Sequence, residues 1–154
     1  MDHSEHEKEE SGGHKHHGQS TWAIASHATL HCLLGCAIGE VLGVTIGALI
    51  GYGVIGRMAL GTFFAFIFGL YLAASALSKK QNMQLFQSLK TIFWGEVVSI
   101  AAMEIAMNGA DYLFGGAQAE ISDWRFWAGF VIMLPAGYLA ALPVNYILIK
   151  TAVK

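Results

Sequence analysis

One ten-residue segment of the chain concentrates side chains that bind metal ions or protons. It runs from His31 to Glu40 and reads His-Cys-Leu-Leu-Gly-Cys-Ala-Ile-Gly-Glu. An α-helix turns about 100° per residue, so Cys32, Cys36 and Glu40 lie on one face, with His31 beside it. Thiolate, imidazole and carboxylate groups are metal ligands, and the two thiols favour a soft ion. The segment therefore predicts a metal site on one helix.

The composition indicates that this helix lies in a membrane. Of 154 residues, 55% are hydrophobic, 13% are charged and 18 are glycine, which is too apolar for a soluble domain of this size. Apolar runs of about 20 residues or more predict an all-α integral membrane protein with four transmembrane helices. The runs cover residues 22–50, 58–77, 91–114 and 124–149. With a net charge of −2, the expected partner is the lipid bilayer and not nucleic acid.

The N-terminal tail, residues 1–20, has a different composition from the membrane domain, residues 21–154. Its first 17 residues hold five of the eleven acidic residues and five of the seven histidines. A segment with so little to bury is expected to be disordered, and it lacks the pattern of a signal peptide. The tract is either a solvated leader or an antenna that collects metal ions. Its histidines are His3, His6, His14, His16 and His17.

Four acidic residues lie within the predicted spans, namely Glu40, Glu96, Glu104 and Asp111, whereas no lysine does and the one arginine, Arg125, lies at the very start of the fourth span. An ionised carboxylate in the bilayer core costs at least about 2.5–3.5 kcal/mol. These groups must therefore be protonated, line a wet cavity or bind a cation. Glu96, Glu104, Asn108 and Asp111 share one face of the third span, and we predict that they form a cation path or a proton relay.

The softer side chains suggest which cation is bound. Two cysteines and two methionines of the third span favour Cu(I), with Zn(II) as the alternative. The cysteines are expected to remain free thiols because a disulfide between positions four apart on a helix would be strained. The predicted metal ligands are His31, Cys32, Cys36, Glu40, Met103 and Met107.

Small residues repeat every fourth position along the first span. Gly35, Gly39, Gly43 and Gly47 form a seam that lets another helix backbone approach closely. We call these four residues the glycine seam. The seam overlaps the face that carries the cysteines, so these side chains are expected to face a neighbouring helix. The third span, with its polar face, is the expected neighbour.

Two short motifs recur in the same order in the two halves of the chain. Gly39-Glu40-Val41 recurs as Gly95-Glu96-Val97, and Tyr71-Leu72-Ala73-Ala74 recurs as Tyr138-Leu139-Ala140-Ala141. This predicts two tandem two-helix hairpin repeats, related by an axis along the membrane normal. Such an axis would place Glu40 and Glu96 in equivalent positions.

The basic residues predict the orientation of the chain. Seven lysines fall on one side of the predicted spans, whereas Arg57 and Arg125 fall on the other. Positively charged loops remain in the cytoplasm, so both termini are expected there, with the chain in the cell (inner) membrane.

The motif His31-Cys32-Leu33-x-Gly35-Cys36-x-x-Gly39-Glu40, with a later Pro143-Val144-Asn145, resembles an uncharacterised prokaryotic membrane-protein family known as a domain of unknown function. The resemblance covers residues 20–150 and implies about four membrane helices. It also implies a copper-related setting for some members. The residues that match the pattern of the family are His31, Cys32, Cys36, Glu40 and Asn145.

The sequence supports several functions unequally. The first is a protein that binds or transports a soft metal cation, most naturally Cu(I), and is not an enzyme. The alternatives are an accessory subunit of a homo-oligomer or larger complex, and a proton-handling protein. A thiol oxidoreductase is disfavoured because there is no Cys-x-x-Cys motif and no third cysteine. Haem is not expected, because both intramembrane histidines, His27 and His31, lie on one span.

Overall fold

A computed structural model describes residues 20–152, and it is entirely helical apart from short connections. Its helices are α1 (Thr21–Leu49), α2 (Val54–Gln81), α3 (Leu85–Phe114) and α4 (Trp124–Ala152). The predicted all-α fold of four helices is confirmed. The five histidines of the predicted metal antenna and the predicted disorder of the tail lie outside the described residues.

Local sequence signals explain where the helices begin and end. Ser20 caps α1 by accepting a hydrogen bond from the backbone N–H of Ala23. The connection between α2 and α3 is shorter than predicted, because α2 continues past its apolar residues through Lys79 and Lys80. Positive charges in the last turn of a helix interact favourably with its dipole. The helix ends at Gln81, and the residue that caps it, Asn82, has a left-handed φ of 52°.

The helices form an antiparallel bundle. Each helix contacts the next one in the chain, α4 returns to contact α1, and α1 and α3 lie diagonally opposite each other. Two pairs of glycines show that α2 runs antiparallel to α1. Gly35 faces Gly69, whereas Gly43, later in α1, faces Gly61, which is earlier in α2. Lys79 and Lys80 lie at one end, together with the start of α1, and we call this the lysine end. The opposite end, which includes Arg57, is called the arginine end.

Within residues 20–152, three helices are long and apolar enough to cross a membrane, namely α1, α2 and α4. Large apolar side chains such as Leu34, Phe63 and Leu139 lie exposed on the outside of the bundle, as lipid contact requires. The remaining helix, α3, carries three acidic residues and is packed between α2 and α4. Its 30 residues give it a length of about 45 Å, comparable to that of its neighbours.

Candidate functional site

The glycine seam brings the backbones of α1 and α2 into direct contact. A Cβ atom added at Gly35 would lie 2.7 Å from Cα of Gly69, and one at Gly43 would lie 2.6 Å from Cα of Gly61. Gly39 lies against the backbone of Ala65 in the same way. The seam itself therefore contacts α2, whereas Cys32 and Cys36 on the overlapping face pack with α3, the neighbour that the sequence predicts for them. Because α2 packs directly on the glycines, the side chains of Cys32 and Cys36 on the adjoining face of α1 reach into the interior of the bundle.

Sulfur-containing side chains from three helices belong to one buried cluster, together with Ala65, Ile100 and Ala141. Cys32 and Cys36 of α1 are fully buried free thiols. They share one buried cluster with Met103 and Met107 of α3 and with Met133 of α4. We call these five residues the sulfur cluster. Two cysteines and two methionines of this cluster belong to the predicted metal ligands, and Met133 is an addition.

The spacing of the small residues in α4 could have predicted that Met133 lies in the bundle interior. It belongs to a buried row of residues four apart, which also contains Gly129, Gly137, Ala141 and Asn145. Gly137 lies against the side chains of Met103 and Met107. Small residues in this row let the long methionine side chains of α3 reach the centre of the bundle.

His31 lies apart from the sulfur cluster. Its Nδ1 atom is 3.1 Å from the carbonyl oxygen of His27, and the two imidazole rings pack with their centroids 4.4 Å apart. Within residues 20–152, no three His, Cys, Asp or Glu side chains are close enough together to hold a metal ion. The predicted set of His31, Cys32, Cys36 and Glu40 is therefore not assembled, because His31 lies on a neighbouring face of α1.

Glu40 projects into the bundle interior from α1 and Glu104 from α3, and their carboxyl groups are neighbours there. Glu40 is 6% exposed and Glu104 is 3% exposed. Thr62 of α2 and Asn108 of α3 each donate a hydrogen bond of 3.2 Å to Oε2 of Glu104. Gly61 provides the space for Glu40, since an added Cβ there would lie 2.6 Å from Oε1 of Glu40. We call Glu40 and Glu104 the carboxyl pair.

Glu96 lies in a large cavity at the lysine end of the bundle. The cavity has a volume of about 880 Å³, and Glu96 shares it with His27, His31, Lys79 and Lys80. On its inner side, Glu96 has the thiol of Cys32 as a neighbour. The carboxyl group of Glu96 therefore lies between this cavity and the sulfur cluster.

Asp111 lies toward the arginine end, beside a much smaller cavity. This cavity has a volume of about 10 Å³, which is room for one water molecule. Glu40 and Asp111 both line it, together with Phe126, Phe130 and Met133. The side chain of Asp111 also contacts Gly116 and Gly129, where the loop after α3 packs on α4.

The predicted equivalence of Glu40 and Glu96 is wrong. Glu40 packs against Gly61, whereas Glu104 accepts a hydrogen bond from the adjacent residue, Thr62, so these two carboxyls lie at one depth. Glu96 is eight residues before Glu104, about 12 Å nearer the lysine end. The short Gly-Glu-Val match therefore aligns residues at different depths of the bundle.

Asn145, the last residue of the Pro-Val-Asn triplet, contacts α1 and not the sulfur cluster. Its Nδ2 atom donates a hydrogen bond of 2.9 Å to Oγ1 of Thr29, and Thr29 donates one of 2.7 Å to the carbonyl oxygen of Ala25. Both side chains are buried. The contact joins α1 to α4 and gives the buried amide group of Asn145 a hydrogen-bond partner.

An antiparallel bundle of membrane-spanning helices with thiols, thioethers and carboxyls in its interior defines a polytopic membrane protein with a polar core. The chain belongs to the family described as a domain of unknown function (DUF4396), whose model matches residues 21–154. No curated protein and no solved structure matches the chain.

Proposed function

We propose that the protein binds a soft metal cation, Cu(I), in the sulfur cluster and moves it through the membrane. The observation that carries the proposal is the burial of two thiols and three thioethers in one cluster. Thiolate and thioether ligands select Cu(I) over harder ions. Zn(II) fits less well, since structural zinc sites use four ligands, most often Cys and His. Within residues 20–152, no three such groups are assembled.

The carboxyl groups give the proposed ion a route on either side of the sulfur cluster. Glu96 lies between the cluster and the large cavity, and on the other side Glu40 lines the small cavity together with Met133 of the cluster. Negative side chains along the route would stabilise a cation that has lost its water. In this scheme copper is the cargo, and no chemical reaction is catalysed. The lysine end corresponds to the cytoplasmic side under the positive-inside rule.

The competing role of an accessory subunit has less support than the sequence suggested. Its main argument was the glycine seam, which would have offered a close-packed surface to another protein. In the described part of the chain this seam is covered by α2. An accessory role also leaves the buried carboxyl groups without a purpose.

The test is the copper content of anaerobically purified protein, measured by mass spectrometry. The full-length chain is compared with a C32S/C36S variant, and both carry glutamine at the five tail histidines so that the tail cannot contribute. We expect one copper ion per chain, lost in the cysteine variant. A third chain, Met133→Leu, should bind copper more weakly because it loses one thioether but keeps its volume. Equal copper in all three chains, or none in the first, would contradict the proposal.

A further inference from the structure

The lysine end of the bundle carries most of the positive charge in the described part of the chain. All the lysines of residues 20–152 lie at this end, and each of them is exposed: Lys79, Lys80, Lys90 and Lys150. Of the acidic residues in the same range, only Glu96 lies near this end, where it shares the large cavity with Lys79 and Lys80. The electrostatic field at the lysine end therefore attracts anions and repels cations.

This positive charge bears on how a copper ion enters the protein. Lys79 and Lys80 line the large cavity, through which an ion from this end would reach the sulfur cluster. Both ammonium groups would repel a bare Cu(I) ion before it reached any ligand. The same lysines are favourable if copper arrives as part of an anion. Thiolates are preferred ligands of Cu(I), and a complex with two of them is an anion because two negative ligands outweigh one positive ion.

The charges along the large cavity lie in the order that such an anion requires. Gly35 and Gly69 face each other in the antiparallel pair of α1 and α2, so they fix the relative depth of the two helices. At 1.5 Å per residue, Lys80 is then about 12 Å nearer the surface than Cys32. Glu96 is a neighbour of Cys32, so it lies at the inner end of the cavity, and the lysines lie at its mouth. The mouth attracts the anionic complex, whereas the inner end attracts the copper cation alone.

The size of the large cavity indicates the size of the anion. Its volume of about 880 Å³ is far more than one metal ion needs and too small for a folded protein domain. It lies within the range of about 300–1,000 Å³ that is typical of small-molecule sites. Most of its walls are apolar, and Ala76, Leu77 and Ile92 are among them. These walls suit the carbon skeleton of a small organic thiol, whose carboxyl groups would lie at the lysines.

We propose that the large cavity is the entry site for copper and that it binds Cu(I) as a complex with a small thiol that carries a carboxyl group. This inference rests on the proposed function, because it names the form in which the metal cargo arrives. Lys79 and Lys80 bind the carboxylates of the thiol. Glu96 lies beside Cys32, at the place where the ion leaves the thiol and continues toward the sulfur cluster.

Transfer of the ion to the protein is an exchange of thiol ligands. The bond from copper to one sulfur of the complex breaks as a bond to Sγ of Cys32 forms. The proton of the Cys32 thiol goes to the departing sulfur, which leaves as a protonated thiol. A second exchange with Cys36, one turn deeper on the same face of α1, releases the other thiol in the same way. Copper remains Cu(I) throughout, so neither step needs an oxidant or a reductant.

The test uses three small thiols that bind Cu(I) through the same group and differ in the charge of their other end. Mercaptopropionate is anionic, mercaptoethanol is neutral and cysteamine is cationic. Each Cu(I) complex is mixed anaerobically with full-length protein in detergent, and copper uptake over time is measured by mass spectrometry after desalting. The parent protein carries glutamine at the five tail histidines. We expect K79Q/K80Q to take up copper from mercaptopropionate about tenfold more slowly than the parent.

Comparison within each thiol removes any difference in how readily the three complexes release copper. Uptake from mercaptoethanol should be equal in K79Q/K80Q and the parent, and uptake from cysteamine should be faster in K79Q/K80Q, which no longer repels it. K90Q/K150Q is the matched control, because it removes two exposed lysines from the same end but outside the cavity wall. Its uptake from mercaptopropionate should equal that of the parent.

The final copper content distinguishes a failure of this inference from a failure of the proposed function. K79Q/K80Q should reach the same final content as the parent, because its sulfur cluster is unchanged. Equal rates from mercaptopropionate in K79Q/K80Q and the parent would overturn the inference and leave the proposed function standing. Equal slowing in K90Q/K150Q would also overturn it, since any surface charge would then suffice. A parent protein that takes up no copper from any of the complexes would overturn both.

Discussion

At the scale of single residues, Gly61 leaves the space that the buried carboxyl group of Glu40 occupies. Replacing it with alanine would place a Cβ atom 2.6 Å from Oε1 of Glu40. The carboxyl group must then move out of its buried position or force the helices apart. We expect Gly61→Ala to lower the free energy of unfolding in detergent by about 1–3 kcal/mol, the usual cost of overpacking.

Gly109 is the matched control for Gly61, because it lies in α3 with nothing near the position of an added Cβ atom. Alanine stabilises an open helical position by about 0.5–1 kcal/mol relative to glycine. Gly109→Ala should therefore leave the unfolding free energy unchanged or raise it. If both substitutions destabilise the protein equally, space for Glu40 is not the reason for glycine at position 61.

The hydrogen bond between Thr29 and Asn145 allows a double-mutant cycle. Thr29→Val and Asn145→Leu each remove one partner and keep the approximate volume of the side chain. Interhelical hydrogen bonds in membrane proteins are worth about 0.6 kcal/mol on average and up to about 1.7 kcal/mol. We expect a coupling energy in this range from unfolding of the two single variants and the double variant. Strictly additive effects would show that the contact does not stabilise the bundle.

Residues that share a face of one helix could be predicted from the sequence, whereas their partners on other helices could not. The spacing of Cys32, Cys36 and Glu40 suffices to place them on one buried face. The roles of Thr62 and Met133 depend on how far α2 and α4 are shifted along their axes relative to α1. That shift is fixed by side-chain packing over the whole bundle, which no pattern within one helix encodes.

At the scale of helices, the glycine seam predicts a graded response to substitution. An added Cβ at Gly39 would meet the backbone of α2, which cannot rotate away. At Gly47 the nearest atoms are Cα of Arg57 at 3.2 Å and its flexible Cγ at 3.3 Å. We expect Gly39→Ala to cost about 3 kcal/mol of unfolding free energy and Gly47→Ala to cost less than about 1 kcal/mol.

The two variants should also differ in a measure of helix separation. A spin-label or fluorophore pair on α1 and α2 would report a longer distance in Gly39→Ala than in Gly47→Ala. Equal stability and equal distance in both variants would mean that the α1–α2 contact tolerates a wider spacing than the structure shows.

The start of α3 shows that a hydropathy pattern does not locate the end of a helix. The third predicted span began at Thr91, the start of the apolar run, but α3 begins six residues earlier at Leu85. The additional turns include exposed Phe86, Gln87 and Lys90 beside a buried Ser88. Hydropathy detects only the part of a helix that suits lipid, whereas the hydrogen-bonded helix continues into the polar region at the end of the bundle.

At the scale of the whole molecule, the positions of the two cavities determine what each end of the bundle can exchange. The large cavity contains imidazole, ammonium and carboxyl groups, so it can hold water and solutes from the lysine end. The small cavity has room for only a single water molecule beside aromatic side chains of α4. The sulfur cluster and the carboxyl pair separate the two, so the described bundle has no open aqueous pore along this line.

This arrangement predicts which positions react with a water-soluble maleimide in a C32S/C36S background. A cysteine at Ala76, in the large cavity, should react because water reaches that wall, whereas one at Val44, in the small cavity, should react far more slowly. A cysteine at Leu34 is the control for exposure to lipid rather than water, since this side chain is 57% exposed on the outer face of α1. It should not react.

The same labelling experiment determines the orientation of the bundle. If the lysine end faces the cytoplasm, the Ala76→Cys variant should react in inverted membrane vesicles and not in right-side-out vesicles, since an impermeant reagent reaches only one face. Reaction only in right-side-out vesicles would reverse the orientation and place the large cavity outside the cell. Comparable reaction of the Val44→Cys variant from the lysine end would show that water passes the sulfur cluster. The carboxyl groups and thiols of the bundle interior would then line a continuous aqueous channel.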